Sequence, residues 1–171
     1  MSLQLQLHGV ITASVLPFKF DGSIDWHSYH KLLEYCAAPE DISAIFVNGH
    51  AGEEATLDAK EREDVITATR KFLQGADKPL LAGVIPYSTK SAVDQARAAE
   101  SSGADALVLF PMPQFSAGGA VSHDAHLAYV REVASQTSIP ISIFQYPLKS
   151  GLGYSTETLA ALADIPQVIA I

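Results

Sequence analysis

The sequence predicts a parallel α/β fold, because short apolar runs alternate with amphipathic segments along its length. Runs typical of buried strands occupy 9–15, 42–47, 79–85, 105–110, 140–145 and 166–171. Segments with helical periodicity separate these runs, so each step from strand to strand is one βαβ crossover. No linker or low-complexity segment interrupts the pattern, which indicates a single domain over residues 1–171.

Each predicted helix begins at a residue type that caps helix N-termini. Asp25 is the predicted N-cap of a helix that reaches about Cys36. Asp58, with Glu61 three residues later, forms a variant of the capping box before a helix over 58–73. The other three helices are predicted to begin near Ser88-Thr89, Ser122-His123 and Ser155-Thr156.

Two parallel architectures fit this pattern, and a (β/α)8 barrel is favoured over a doubly wound sheet. A nucleotide-binding sheet carries Gly-x-Gly-x-x-Gly after an early strand, but here the first strand ends in Val15-Leu16-Pro17-Phe18. No phosphate-binding Gly-x-x-x-x-Gly-Lys loop is present either. A (β/α)8 barrel needs about 250 residues. The chain therefore corresponds to about the first five and a half units of such a barrel, ending at strand six.

Composition and charge argue against several classes of partner. The 171 residues are 48% hydrophobic and 18% charged, with a formal net charge of −8. This acidic balance provides no electrostatic footprint for nucleic acid or an anionic membrane. No apolar run approaches the ~20 residues of a membrane span, and the polar start lacks a signal-peptide core. A cytoplasmic protein is expected, and the single cysteine, Cys36, is interpreted as a core residue in a reducing compartment.

Function is sought at the C-terminal ends of the strands, where barrels carry their catalytic groups. The second predicted strand leads into Asn48-Gly49-His50-Ala51-Gly52-Glu53. Gly49 and Gly52 allow a tight turn whose N–H groups can hold a carboxylate or an oxyanion. Alternatively, the turn is only structural, and Glu53 caps the segment that follows.

The histidines do not predict a metal centre. His27 and His30 share one helix, His123 and His126 share another, and His8 precedes the first strand. No carboxylate converges on either helical pair in the sequence pattern. No metal and no cofactor are therefore expected.

Several segments of the chain together carry a family pattern. They are Gly9 to Phe18, 21–25, the turn 49–53 with Ala55-Thr56-Leu57 after it, Glu61-Arg62, 101–104 and 147–151. This set resembles the dihydrodipicolinate synthase and N-acetylneuraminate lyase family over almost the whole chain. The resemblance implies a (β/α)8 barrel, usually a homotetramer, that forms a Schiff base between a lysine and pyruvate or another 2-oxo acid. It also implies that this lysine directly follows the sixth strand, at the position just after Ile171.

The turn departs from the pattern that this resemblance implies. The synthases have Gly-Thr-Thr-Gly-Glu, in which the first hydroxyl relays a proton and the second helps to hold the pyruvate carboxylate. Those two positions are His50 and Ala51 in this sequence. The N–H groups of Ala51 and its neighbour remain able to hold the carboxylate. His50 either takes over acid–base duty or simply fills space.

A second departure lies at the ends of strands five and four. The catalytic tyrosine of the family aligns with Phe144, and phenylalanine carries no proton. Alternation places Ser142, Phe144 and Tyr146 on one face, so Tyr146 either reaches the pocket or is a rim aromatic. Lys149 replaces the arginine that receives the second substrate in the synthases. Where the synthases have a tyrosine pair, strand four ends in 110–113, Phe-Pro-Met-Pro.

The function predicted from the sequence is that of a Schiff-base lyase or aldolase acting on pyruvate or a related 2-oxo acid. A dehydratase acting on a sugar acid through the same intermediate remains an alternative. A barrel that has lost catalysis and serves as a ligand-binding or assembly subunit is another. The candidate catalytic residues are His50, Phe144 and Tyr146, and the candidate substrate-binding residues are Gly49, Ala51, Gly52 and Lys149.

Overall fold

The computed structural model describes residues 5, 7–116 and 122–171 and contains a six-stranded parallel sheet. Its strands are paired in chain order, each with the next along the sequence. A doubly wound sheet reverses its strand order, whereas a barrel does not. The order therefore agrees with the predicted barrel. The strands are Val10–Ala13 (β1), Ile42–Val47 (β2), Leu80–Val84 (β3), Ala106–Leu109 (β4), Ile141–Ile143 (β5) and Val168–Ala170 (β6).

Five α-helices connect the strands, and all five predicted N-terminal caps are present. Asp25 accepts a hydrogen bond from the Ser28 amide, and Asp58 forms a full capping box with Glu61. Ser88, Ser122 and Ser155 cap the remaining three helices through their side chains. The helices are Trp26–Ala37 (α1), Ala59–Phe72 (α2), Thr89–Ser101 (α3), His123–Ser135 (α4) and Thr156–Ala163 (α5).

Short 3-10 helices follow three of the strands and were not predicted. Two of them, His50–Gly52 and Glu54–Thr56, lie in series between β2 and α2. The others are Pro113–Ser116 after β4 and Leu148–Ser150 after β5. All four lie at the C-terminal ends of strands, where the candidate residues are located.

The two faces of the sheet pack against different partners. One face contacts the helices and forms the larger core, in which Cys36 is partly buried as predicted. The opposite, inward face forms a separate apolar layer around Leu81 and Val108. Successive strand residues alternate between these faces, as Ala44 and Ile45 show. The inward layer consists of Ala44, Leu81, Ile85, Ala106, Val108 and Phe110, with Ile11, Phe46, Phe144 and Tyr146 partly buried beside it.

Within the described residues, no helix combines the length and the apolar character that a membrane crossing requires.

Candidate active site

Five aromatic side chains meet on the inward face at the C-terminal ends of the strands. Phe46 lies near the end of β2 and His50 in the turn after it, Phe110 directly follows β4, and Phe144 and Tyr146 follow β5. The rings of Phe110 and Phe144 stack at a centroid distance of 4.1 Å and an angle of 19°. Phe46 lies nearly parallel to Phe110 at 6.5 Å. These five residues are called the aromatic cluster below.

His50 and Tyr146 form the polar end of this cluster. The Nε2 atom of His50 is hydrogen-bonded to the Tyr146 hydroxyl. The imidazole also contacts Phe110 edge-on at 5.0 Å and Phe144 at 5.9 Å. Burial raises the pKa of Tyr146, so the phenol keeps its proton at neutral pH. The phenol is therefore able to donate to Nε2 whenever that nitrogen carries no proton.

Tyr146 reaches the cluster because of strand alternation. Ile141 and Ile143 of β5 pack on the helix side, whereas Phe144 and Tyr146 join the inward layer. Tyr146 contacts Phe144 at a centroid distance of 4.9 Å. Its side chain is therefore a partly buried member of the cluster, and Phe144 supplies a ring without an ionisable group.

The turn after β2 presents two backbone amides. The amides of Gly52 and Glu53 are bonded to the carbonyls of Gly49 and His50, both at 3.1 Å. The amides of His50 and Ala51, at the start of the 3-10 helix, donate to no residue that the structure describes. Adjacent N–H groups of this kind can bind a carboxylate. The predicted role of Gly49, Ala51 and Gly52 in substrate binding is compatible with this geometry.

The turn lies against β3 through a close approach that sequence reasoning did not anticipate. Asn48 is 3% exposed and has a φ of 55°, a left-handed conformation. A Cβ atom at Gly83 would lie 1.9 Å from the Asn48 carbonyl oxygen, so only glycine fits there. The Asn48 side chain donates to the Arg62 carbonyl at 3.0 Å. The Asn-Gly pair at 48–49 is a turn signal that favours a left-handed residue, and it was available in the sequence.

Gly49 packs closely against the aromatic cluster. A Cβ atom at this position would lie 2.6 Å from Cζ of Phe46. The ring of Phe46 therefore packs directly beneath the turn that carries His50 and Ala51. This contact links the apolar layer of the sheet to the turn that carries the His50 and Ala51 amides.

A buried ion pair supports the segment that follows the turn, and sequence reasoning missed it as well. Glu54 is 2% exposed, and its Oε1 lies 3.4 Å from Nη1 of Arg62. The same Nη1 donates to the Leu57 carbonyl at 2.7 Å. Burial raises the pKa of the Glu54 carboxyl, and the Arg62 charge opposes that rise.

The fold agrees with a comparison against known proteins. Residues 6–171 match the profile of the Dihydrodipicolinate synthetase family. The chain belongs to this family. A 4-hydroxy-tetrahydrodipicolinate synthase of Fervidobacterium nodosum is 34% identical over 164 residues, which cover 95% of this chain and 54% of that relative.

Solved structures of the family superpose well on the chain. The chloride-inhibited dihydrodipicolinate synthase of Acinetobacter baumannii, complexed with pyruvate, has a TM-score of 0.87 at 28% identity, covering 97% of this chain and 55% of the other. A monomeric dihydrodipicolinate synthase variant has a TM-score of 0.85 at 26% identity, covering 95% and 52%. The chain therefore spans about half the length of the relatives that it matches.

No described lysine forms an ion pair or hydrogen bond with the aromatic cluster. Lys149 is exposed in the 3-10 helix after β5 and contacts none of the described residues through an ion pair or hydrogen bond. Lys78 donates to the carbonyls of Ala37, Pro39 and Ile42, before β2 and at its start. The role of Lys149 in substrate binding stays a prediction.

Three of the other histidines have structural contacts. His30 lies 3.4 Å from Glu34 on the surface of α1, and His123 contacts Thr158 at 3.1 Å. His126 packs edge-on against the rings of Phe115 and Tyr154. Over the part of the chain that the structure describes, His, Cys, Asp and Glu form no cluster of three or more suited to a metal ion.

Proposed function

We propose that residues 1–171 are the N-terminal part of a single (β/α)8 barrel that acts as a Schiff-base lyase or aldolase on pyruvate or a related 2-oxo acid. The observation that carries this proposal is the His50–Tyr146 hydrogen bond beside the two free amides of His50 and Ala51. In this family's fold, that arrangement places an acid–base group next to a carboxylate-binding turn. The relatives are synthases, and one was solved with pyruvate.

The family resemblance expects the Schiff-base lysine immediately after Ile171. The strand before that position is β6, Val168–Ala170, which pairs with β5 as the sixth strand of the sheet. The pairing register shifts between Ile141 and Ser142, and Val168 packs on the helix side. The proposed lysine therefore rests on the resemblance and on the place of β6 in the strand order.

The proposed reaction begins with the amine of that lysine. The uncharged amine attacks the ketone carbon of pyruvate, water leaves, and an iminium forms. Loss of a proton from the adjacent methyl carbon gives an enamine, whose carbon bonds to the carbonyl carbon of a second substrate. The carbonyl oxygen takes up a proton as the bond forms. Hydrolysis of the iminium by water releases the product and the lysine, and the reverse order describes cleavage.

The chain's own residues bind and orient the substrate and move its protons. The amides of His50 and Ala51 bind the carboxylate and so orient the ketone. His50 and Tyr146 together replace the hydroxyl relay and exchange a proton with the oxygen of the second substrate. Phe144, which stacks on Phe110, shapes the pocket and transfers no proton.

One alternative function has an observation in its favour. By the family resemblance, Phe144 aligns with the catalytic tyrosine, which favours a barrel that binds a 2-oxo acid without turning it over. Such a protein would still bind pyruvate at the turn.

Assembly into a homotetramer also stays a prediction, and one similar structure is a monomeric variant. Light scattering of the purified protein measures the assembly directly.

The experiment that tests the proposed function uses the full-length protein that contains this chain. The protein is incubated with pyruvate and sodium borohydride, and its intact mass is measured. A reduced pyruvate adduct that requires both reagents is the expected result, and release or consumption of pyruvate with an aldehyde then distinguishes catalysis from binding alone. No adduct with pyruvate or with other 2-oxo acids would overturn the proposal.

A further inference from the structure

The aromatic cluster presents ring surface beside the His50–Tyr146 pair. Phe110 is 1% exposed and lies beneath the other rings. Phe46, Phe144 and Tyr146 are only partly buried, so they supply the accessible surface. Phe144 is held on one side by its stack with Phe110 at 4.1 Å and on another by Tyr146 at 4.9 Å. A substrate that reaches the acid–base pair therefore meets a preformed apolar wall.

Cationic side chains are few at this end of the described sheet. The sequence has 11 lysines and arginines. Nine of them lie in α-helices or before β3, and the other two, Lys19 and Lys149, lie in segments that follow strands. Neither forms an ion pair or hydrogen bond with the aromatic cluster. Arg62, the nearest cation in sequence to the turn, is engaged by Glu54 and the Leu57 carbonyl. The ring surface of this wall is therefore suited to packing against an apolar group.

We propose that the second substrate of this site is an aldehyde with an aromatic or similarly large apolar group, which packs on Phe144 and its neighbours. This inference rests on the proposed Schiff-base function and specifies its second substrate. In the addition direction, the enamine carbon of pyruvate bonds to the aldehyde carbon. The aldehyde oxygen takes a proton from the His50–Tyr146 pair and becomes a hydroxyl. Water then hydrolyses the iminium, so the product is a hydroxy 2-oxo acid with an aromatic substituent.

The wall sets a preference that a substitution can reverse. Aromatic rings prefer stacked or edge-on contacts with other rings, and a leucine of similar volume cannot reproduce them. Hydrophobic pockets discriminate by about tenfold or more for a group of modest size. Phe144→Leu is therefore expected to lower the ratio of kcat/KM for benzaldehyde over acetaldehyde by about tenfold. Because both aldehydes use the same pyruvate enamine, the ratio is insensitive to a general loss of activity.

The test measures kcat/KM for pyruvate with benzaldehyde, acetaldehyde and succinic semialdehyde, using the full-length protein. The variants are Phe144→Leu and, as a matched control, Phe72→Leu, whose ring contacts His30 on the outer helices. Borohydride trapping of pyruvate is run on each protein to show that the first step is intact. We expect benzaldehyde to be preferred over succinic semialdehyde, and the benzaldehyde ratio to fall in Phe144→Leu alone.

The outcomes separate this inference from the function on which it rests. A trapped pyruvate adduct together with a preference for succinic semialdehyde overturns the inference and leaves the Schiff-base function standing. An unchanged ratio in Phe144→Leu, or an equal fall in Phe72→Leu, also overturns it. Absence of a pyruvate adduct in the unsubstituted protein overturns the proposed function, and the inference with it.

Discussion

His50 and Tyr146 are hydrogen-bonded to each other although 96 residues separate them in the sequence. His50 belongs to the turn after β2, and Tyr146 to the segment after β5. Two strands, β3 and β4, lie between them in the sheet. The contact arises because inward-facing residues of a curved parallel sheet converge at its C-terminal end.

Removal of the Tyr146 hydroxyl tests whether this pair moves a proton. In Tyr146→Phe, we expect kcat for the aldol reaction to fall by about 10²-fold or more, since general acid–base catalysis contributes on that scale. Borohydride trapping of pyruvate should persist, because the lysine and the turn remain. Tyr35→Phe on the exposed face of α1 is the matched control. An unchanged kcat in Tyr146→Phe would show that the phenol takes no part.

Removal of the Ala51 amide tests the proposed binding of the carboxylate. Ala51→Pro removes an N–H that donates to no described residue, so the hydrogen bonds within the turn are not disturbed directly. A hydrogen bond to a charged group contributes about 1.5–3 kcal/mol, so the KM for pyruvate should rise at least about tenfold. Ala55→Pro is the control, because Ala55 holds the same second position in the adjacent 3-10 helix, Glu54–Thr56. Equal effects of the two substitutions on KM would contradict the assignment.

Substitution of Gly83 tests the close approach between β3 and the turn. A Cβ atom there would lie 1.9 Å from the Asn48 carbonyl oxygen, so Gly83→Ala forces the backbone apart. Overpacking of this kind costs about 1–3 kcal/mol or more. Gly75→Ala, where no atom lies within 4 Å but φ is positive, should cost about 1–2 kcal/mol. Urea unfolding of the full-length protein compares the two, and a smaller effect at Gly83 would disprove the contact.

The buried carboxyl of Glu54 predicts a pH-dependent stability. Its pKa is raised above the ordinary value of 4.5, so the folded state binds its proton more tightly than the unfolded state. Stability contributed by this group is therefore greatest at low pH and decreases as the pH rises from about 4.5 through the folded pKa. Glu54→Gln should remove that decrease, while Glu53→Gln, at an exposed position, should retain it. The measurement is the free energy of unfolding of each protein between about pH 4 and pH 7, the range in which the Glu54 carboxyl is expected to lose its proton. Parallel pH profiles for wild type and Glu54→Gln would rule it out.

The sequence predicted the regular elements because their signals are local. The caps at Asp25 and Asp58 bond to amides three residues away, and β2 was placed at 42–47 by its continuous apolar run. Alternation along β5 likewise placed Phe144 and Tyr146 on one face. Each of these inferences needs only the chain's near neighbours.

The parts that were missed depend on contacts between distant segments. Nothing near Gly83 in the sequence indicates that the Asn48 carbonyl lies where its Cβ would be. The burial of Glu54 likewise depends on Arg62 of α2 and on how the two 3-10 helices fold back towards that helix. The stack of Phe46, Phe110 and Phe144 brings together residues in or directly after three different strands. Their common inward direction was predictable, but their distances were not.

The most direct test of the account is a crystal structure of the full-length protein after reduction of its pyruvate adduct with borohydride. We expect a lysine immediately after Ile171 to carry the adduct. We also expect the adduct carboxylate to lie within hydrogen-bonding distance of the His50 and Ala51 amides, with the His50–Tyr146 pair beside it. An adduct on any other lysine, or a carboxylate bound away from this turn, would contradict the proposed Schiff-base site.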